Sequence, residues 1–110
     1  MKGKVILIPV PYTDLTAAKL RPALVIFEGR RDLIVAPITT TMFNMFPEWD
    51  VIIDSGNPQF HNTGLKAASI LKLTKISTIS KDLAEGELGE ICGNLRDEIN
   101  EKVPRCLVWV

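Results

Sequence analysis

Short apolar runs separated by turn-forming residues make up most of this chain. "KVILIPV" (4–10) is apolar and β-branched, the composition of a strand. "PYTDLTAAKL" (11–20) carries turn residues and no period, and reads as a loop. "RPALVIF" (21–27) is the second strand, and "EGRRD" (28–32), with Gly29, reads as a hairpin turn. "LIVAPIT" (33–39) is the third strand, which Pro37 is expected to stop or bend because proline has no amide hydrogen for a central ladder. "TTMFNMFPE" (40–48) is irregular. "WDVIID" (49–54) alternates, with Trp49, Val51 and Ile53 on one face and Asp50, Ile52 and Asp54 on the other. "SGNPQFHNTG" (55–64) is a turn-rich loop, and "AASILKLTKISTI" (67–79) reads as one or two strands.

"SKDLAEGELG" (80–89) reads as one short helical turn with Ser80 as its cap. In "NLRDEINEKV" (94–103) the residues Leu95, Ile99 and Val103 recur every fourth position. Asn94 is placed to cap that helix, with Asp97 in its first turn. Lys102 suits the negative end of the helix dipole, and Pro104 is expected to prevent extension without a kink. "CLVWV" reads either as a tail strand or as a second helical piece. Closely spaced strands followed by one helix predict a mostly β (α+β) single domain over residues 1–110, a small, partly closed barrel.

Composition narrows the function. Lys plus Arg equals Asp plus Glu, 13 against 13, so the formal net charge is zero. Bulk adhesion to DNA or to an anionic membrane needs a broadly basic surface, and that is excluded, while a local basic site is not. Cys92 and Cys106 form no CxxC motif and have no histidine at zinc spacing, so they read as reduced thiols of a cytoplasmic protein. The N-terminal apolar run is short and broken by prolines and Asp14, which argues against a signal peptide. No segment is long enough to span a membrane.

Familiar catalytic patterns are missing. His61 is the single histidine and sits in a turn-rich loop, so neither a metal site nor a cofactor is expected. Asp50 and Asp54 share a strand face but lie about 13 Å apart along it, too far for a glycosidase pair; they read as solvated outer-face charges. No phosphate-binding glycine loop and no nucleophile elbow occurs. What remains is arginine, lysine and hydroxyl chemistry.

"KLRPALVIF" (19–27) concentrates it. Lys19 and Arg21 point to one side of an extended chain, and Pro22 holds Arg21 extended at the mouth of an apolar strand. A surface salt bridge is the plain reading; an anion site is the functional one, since the planar guanidinium fits a phosphate. "PITTT" brings Thr39, Thr40 and Thr41 to the end of the adjoining strand, where a hydroxyl can donate to the same anion.

Taken together, "GKVILIPVPYTDLTAAKLRPALVI", "APIT", "TGLKAASILKLTKISTI" and "LGEI" resemble the MazF/PemK family of toxin endoribonucleases, from Gly3 to about Ile91. The resemblance implies an SH3-like barrel with a C-terminal helix, paired as a homodimer. It also implies metal-independent, sequence-selective cleavage of single-stranded RNA to a 2′,3′-cyclic phosphate and a 5′-hydroxyl, and neutralisation by a cognate antitoxin protein. It makes Arg21 and Thr39 the catalytic pair. Substrate contacts would come from Tyr12 by stacking and from Lys19, Thr40 and Lys75 by polar contact. Arginine keeps its proton, so the general base would be water, a perturbed Arg21, or His61, a position outside the resemblance. Phe43, Met45 and Phe46 form an apolar loop cluster that reads as core, dimer seam or antitoxin groove. Two other readings share the fold. One is a CcdB-like gyrase poison that would use Trp109, and the other is a degenerate member that binds RNA or antitoxin without cutting.

Overall fold

Alternating apolar residues place the strands, and their pairing closes the sheet. The computed structural model describes residues 1–10, 19–43 and 45–107. Among these, β1 (Lys4–Val10), β2 (Lys19–Glu28), β3 (Asp32–Thr39), β4 (Asp50–Ile53), β5 (Ser69–Lys72), β6 (Ser77–Ser80) and β7 (Gly86–Glu90) precede one helix, α1 (Gly93–Leu107). All pairings are antiparallel, in the order β4-β5-β3-β2-β1-β7, with β6 also on β3. The result is a curled half-barrel.

β3 is the hub. One edge pairs with β2 from Leu33 to Pro37, while the other pairs first with β6 at Asp32–Val35 and then with β5 at Ile38 and Thr39. Pro37 does not stop the strand. It falls in the gap between the β6 and β5 registers, where a central strand loses least from a missing amide hydrogen. In β2 a bulge between Val25 and Phe27 sets an extra residue against β3, and such bulges add the twist that curls a sheet.

Each sheet face carries its own core. On one, Val5, Leu24, Ala36, Ile38, Val51, Ile53 and Leu71 pack under Leu95 and Ile99 of α1. On the other, Ile6, Ile8, Ala23, Val25, Leu33, Val35 and Ile79 cluster with Leu83 and Ala84.

The helix begins at Gly93, so Asn94 lies inside the first turn rather than capping it, and no acidic residue falls in that turn. It also runs through Pro104 to Leu107. Val103 and Cys106 pack on the apolar cluster on either side of the proline, and Arg105 pairs with Glu101 at 2.6 Å, so side-chain contacts hold the last turn. In the 80–89 segment the expected turn is confined to Lys81–Leu83, with Ser80 Oγ accepting from Asp82 N at 3.2 Å. Gly86–Glu90 is then a strand with no apolar alternation, held by β1. A Cβ at Gly89 would strike the Asn62 carbonyl, and one at Gly64 (φ +75°) the Leu88 carbonyl, so two glycines let the 60–64 turn lie directly on β7.

Two measurements test this frame. Leu95 is wholly buried, and Leu95→Ala is expected to lower unfolding free energy by about 2–5 kcal/mol in urea titration. Glu28 accepts from the N-terminal ammonium at 2.7 Å and meets Lys81 at 2.9 Å. These hydrogen bonds, the ammonium's foremost, lower its pKa from 4.5 to about 2. A depressed carboxylate stabilises the fold above its unfolded pKa and loses that effect as pH falls through the folded value. Melting temperature should therefore decline between about pH 4.5 and 2, and Glu28→Gln should flatten that part of the decline.

Candidate active site

Alternation sets the predicted pair on one face. Ala23↔Pro37 is the last β2–β3 pair, and Arg21 lies two residues beyond Ala23 as Thr39 lies two beyond Pro37. Residues two apart on a strand share a face, so both side chains lie on the face of Ile6, Ile8, Ala23 and Val25, just beyond that core. Arg21 is exposed and Thr39 half-buried. Thr39 Oγ1 accepts from Thr41 N at 3.1 Å, which fixes the hydroxyl oxygen and leaves its hydrogen to donate. Lys19 pairs with Val10 at the end of the ladder, on the same face as Arg21, and is exposed, as is Thr40. Two exposed cations and an exposed threonine thus surround the half-buried Thr39.

The other sequence-predicted residues sit elsewhere. Lys75 is exposed and ends a 3₁₀ turn, Leu73–Lys75, beyond the edge of β3 opposite to β2. His61 lies in the 3₁₀ turn Phe60–Thr63, whose Phe60 packs on the helix-side core, so its segment belongs to the far face of the sheet. Tyr12 and Trp109 lie outside the described residues. Phe43 is 79 % and Phe46 46 % exposed, which removes core from the alternatives for that cluster. A groove of about 580 Å³ between α1 and the start of β1, lined by Lys2, Leu24, Glu90, Arg96 and Val103, holds none of the predicted residues. Both cysteines are free, and burial pushes the Cys106 thiol up, with the Asp50 carboxylate adding to the shift, which disfavours a nucleophilic thiolate there. Among the described residues no helix is long and apolar enough to cross a membrane.

The family model for the PemK-like, MazF-like toxins of type II toxin-antitoxin systems matches residues 1–108. This chain belongs to that family. Its fold is that of solved MazF-type toxins. A mycobacterial endoribonuclease, solved in complex with its cognate antitoxin, superposes with a TM-score of 0.73 at 20% identity, covering 100% of this chain and 98% of that one. Mycobacterium tuberculosis toxin MazF-mt6 superposes with 0.72 at 20% identity, covering 96% and 99%. No curated protein matches the chain. The chain is thus a homologue of the MazF endoribonucleases.

In this MazF-like chain one feature of the site face is hidden from sequence reasoning. Asp50 is not a solvated charge but wholly buried, and its Oδ2 lies 2.6 Å from Lys72 Nζ. Asp50 is paired across the ladder with Lys72, and Ile70, two residues before Lys72, is paired with Thr39. Lys72 is therefore on the face of Thr39, diagonal to it. Asp50 Oδ2 also accepts from Phe46 N at 2.8 Å, Asp50 N donates back to the Phe46 carbonyl at 2.8 Å, and Lys102 of α1 donates to the Asp50 carbonyl at 2.8 Å. The turn before β4 folds over the carboxylate and excludes water. Trp49, expected beside Val51 and Ile53, precedes the strand and is 38 % exposed. The only trace in the sequence is that Asp50 and Lys72 each interrupt an apolar run; nothing there joins them.

Removing one member of a buried pair leaves the other's charge in a poor solvent. Asp50→Ala, which takes the carboxylate from beside the buried Lys72 ammonium, is expected to cost about 3–5 kcal/mol of stability by chemical denaturation.

Proposed function

We propose that this protein is a metal-independent endoribonuclease toxin that cuts single-stranded RNA at selected sequences, leaving a 2′,3′-cyclic phosphate and a 5′-hydroxyl. The observation that supports the reading is the alternation of β2 and β3, which puts Arg21 and Thr39 on one sheet face of a PemK/MazF-family chain. In the reaction the 2′-oxygen attacks the neighbouring phosphorus and the 5′-oxygen leaves. Water takes the proton from the 2′-hydroxyl and returns one to the departing oxygen, since the turn that carries His61 packs through Phe60 on the helix-side core. Charge grows on the non-bridging oxygens in the transition state, where the Arg21 fork meets two of them and the Thr39 hydroxyl adds a third hydrogen bond. Lys19, one pleat along β2, holds the next phosphate, and Thr40 flanks the scissile one. Lys75 contacts a further nucleotide, and Tyr12 stacks on a base, as the family resemblance implies. Because the positive charge is local, an overall neutral chain can do this.

A cognate antitoxin protein is the regulator in this reading, in keeping with the type II family and with the complex solved for the mycobacterial relative. The active assembly is a homodimer, which sedimentation of the purified protein tests directly.

Cleavage of a long single-stranded RNA in excess EDTA is the deciding experiment. The wild type should cut at a short recurring motif with cyclic-phosphate ends. Thr39→Val should lose on the order of a hundredfold in kcat, and Arg21→Ala more than that. Arg21→Lys should also fall well below wild type, because an ammonium keeps the charge but not the fork. Intact RNA with folded wild-type protein, or full activity in Arg21→Ala, would overturn the reading.

A further inference from the structure

Phe46 has an unusual mounting for an exposed loop residue. Its amide donates to Asp50 Oδ2 at 2.8 Å, its carbonyl accepts from Trp49 N at 3.0 Å and Asp50 N at 2.8 Å, and its ring centroid lies 5.2 Å from Lys72 Nζ. Trp49 stands beside it, with ring centroids 6.2 Å apart and planes tilted by 53°. Both residues nevertheless remain exposed, Phe46 at 46 % and Trp49 at 38 %. A buried ion pair is an expensive foundation for a surface turn, since the desolvation penalty of two charges can match or exceed their attraction. Here it lies under an aromatic ring on the same sheet face as Thr39, diagonal to that residue across the β3–β5 ladder.

We propose that Phe46 is a base-stacking residue for single-stranded RNA, and that the Asp50–Lys72 pair is the positioning device that presents it beside the phosphate site. The inference rests on the nuclease reading for what binds next to Arg21, and it adds the contact that sees a base rather than a backbone. Exposed aromatic faces bind unpaired bases by stacking, whereas arginine and threonine at the scissile phosphate carry no sequence information. Asp50 acts at two points. Its carboxylate holds the Phe46 amide, and its charge keeps Lys72 beneath the ring, where the cation–π contact sets the ring's tilt. Lys102, bonded to the Asp50 carbonyl and to Glu98 at 2.8 Å, ties this turn to α1, so the platform is braced from both sides of the sheet.

The test uses the full chain and a short oligoribonucleotide carrying a cleavage site mapped on long RNA. Phe46→Leu removes the stacking face and keeps an apolar side chain. The double variant Asp50→Asn/Lys72→Met neutralises both charges together, so that neither is left buried alone. Each is expected to raise KM about tenfold, the scale of one lost base stack, with kcat within about threefold of wild type. A merely structural role would instead lower apparent kcat through a smaller folded fraction and leave KM unchanged. Combining all three substitutions should raise KM no further than Phe46→Leu alone, because the pair acts through the ring. Amide exchange gives a readout independent of activity: the Phe46 amide should be protected in wild type and exposed in the double variant. Unchanged KM in folded Phe46→Leu, effects that multiply in the triple variant, or an unprotected Phe46 amide in wild type would each overturn the proposal. Should wild-type protein cut no RNA, the nuclease reading falls by itself. Anisotropy of a fluorescein-labelled, random-sequence single-stranded RNA then decides this one: tenfold weaker binding by Phe46→Leu supports the platform, and equal binding overturns it.

Discussion

Strand β3 satisfies its backbone through partners on both edges, and that constraint organises everything around it. A strand paired with β2 on one side and with two successive strands on the other cannot stay flat, because each pairing brings its own twist. The sheet curls, and two apolar clusters form instead of one, one on each face. The helix covers one cluster. The other runs out toward the open end of β2 and β3, and the polar residues of the site begin where that apolar packing stops.

This arrangement separates two kinds of charge. Arg21 and Lys19 lie past the end of the core and stay hydrated, so they are available to an incoming anion at little desolvation cost. Asp50 and Lys72 lie within the packed part of the same face and are buried against one another. Exchanged in role, neither set would work. A buried arginine would need its own counter-ion and could not receive a phosphate, and an exposed aspartate–lysine pair would be too weakly held to fix a turn. Distance from the core, measured in residues along adjacent strands, decides which charge binds and which supports.

For a nuclease that works without broad positive charge, an open face with a few cations is a physically sufficient design. With no net charge, non-specific attraction to a polyanion stays low. The groove on the helix side, lined by Lys2, Glu90 and Arg96, is separated from that face by the sheet.

Much of the architecture was legible from local pattern. β1, β2, β3 and β4 follow apolar, β-branched runs, and the helix follows Leu95, Ile99 and Val103, because side-chain periodicity reports the face that must be buried. The candidacy of Arg21 and Thr39 was also legible, since proline stiffness, a strand end and a joining hairpin are all local facts. Elements governed by their partners were not. Glu87 and Leu88 in "GELGE" show no strand period, and β7 exists because β1 has a free edge. Pro37 reads as a breaker until the change of partner on β3 removes the need for its amide. Pro104 reads as a stop until the packing of Val103 and Cys106 outweighs one lost hydrogen bond. Asp50 reads as a surface charge because its partner is 22 residues away in sequence and on another strand. The sequence by itself determined which residues want burial and which carry chemistry. Only the tertiary structure decided which of them meet, because register and burial are set by long-range pairing that no local window contains.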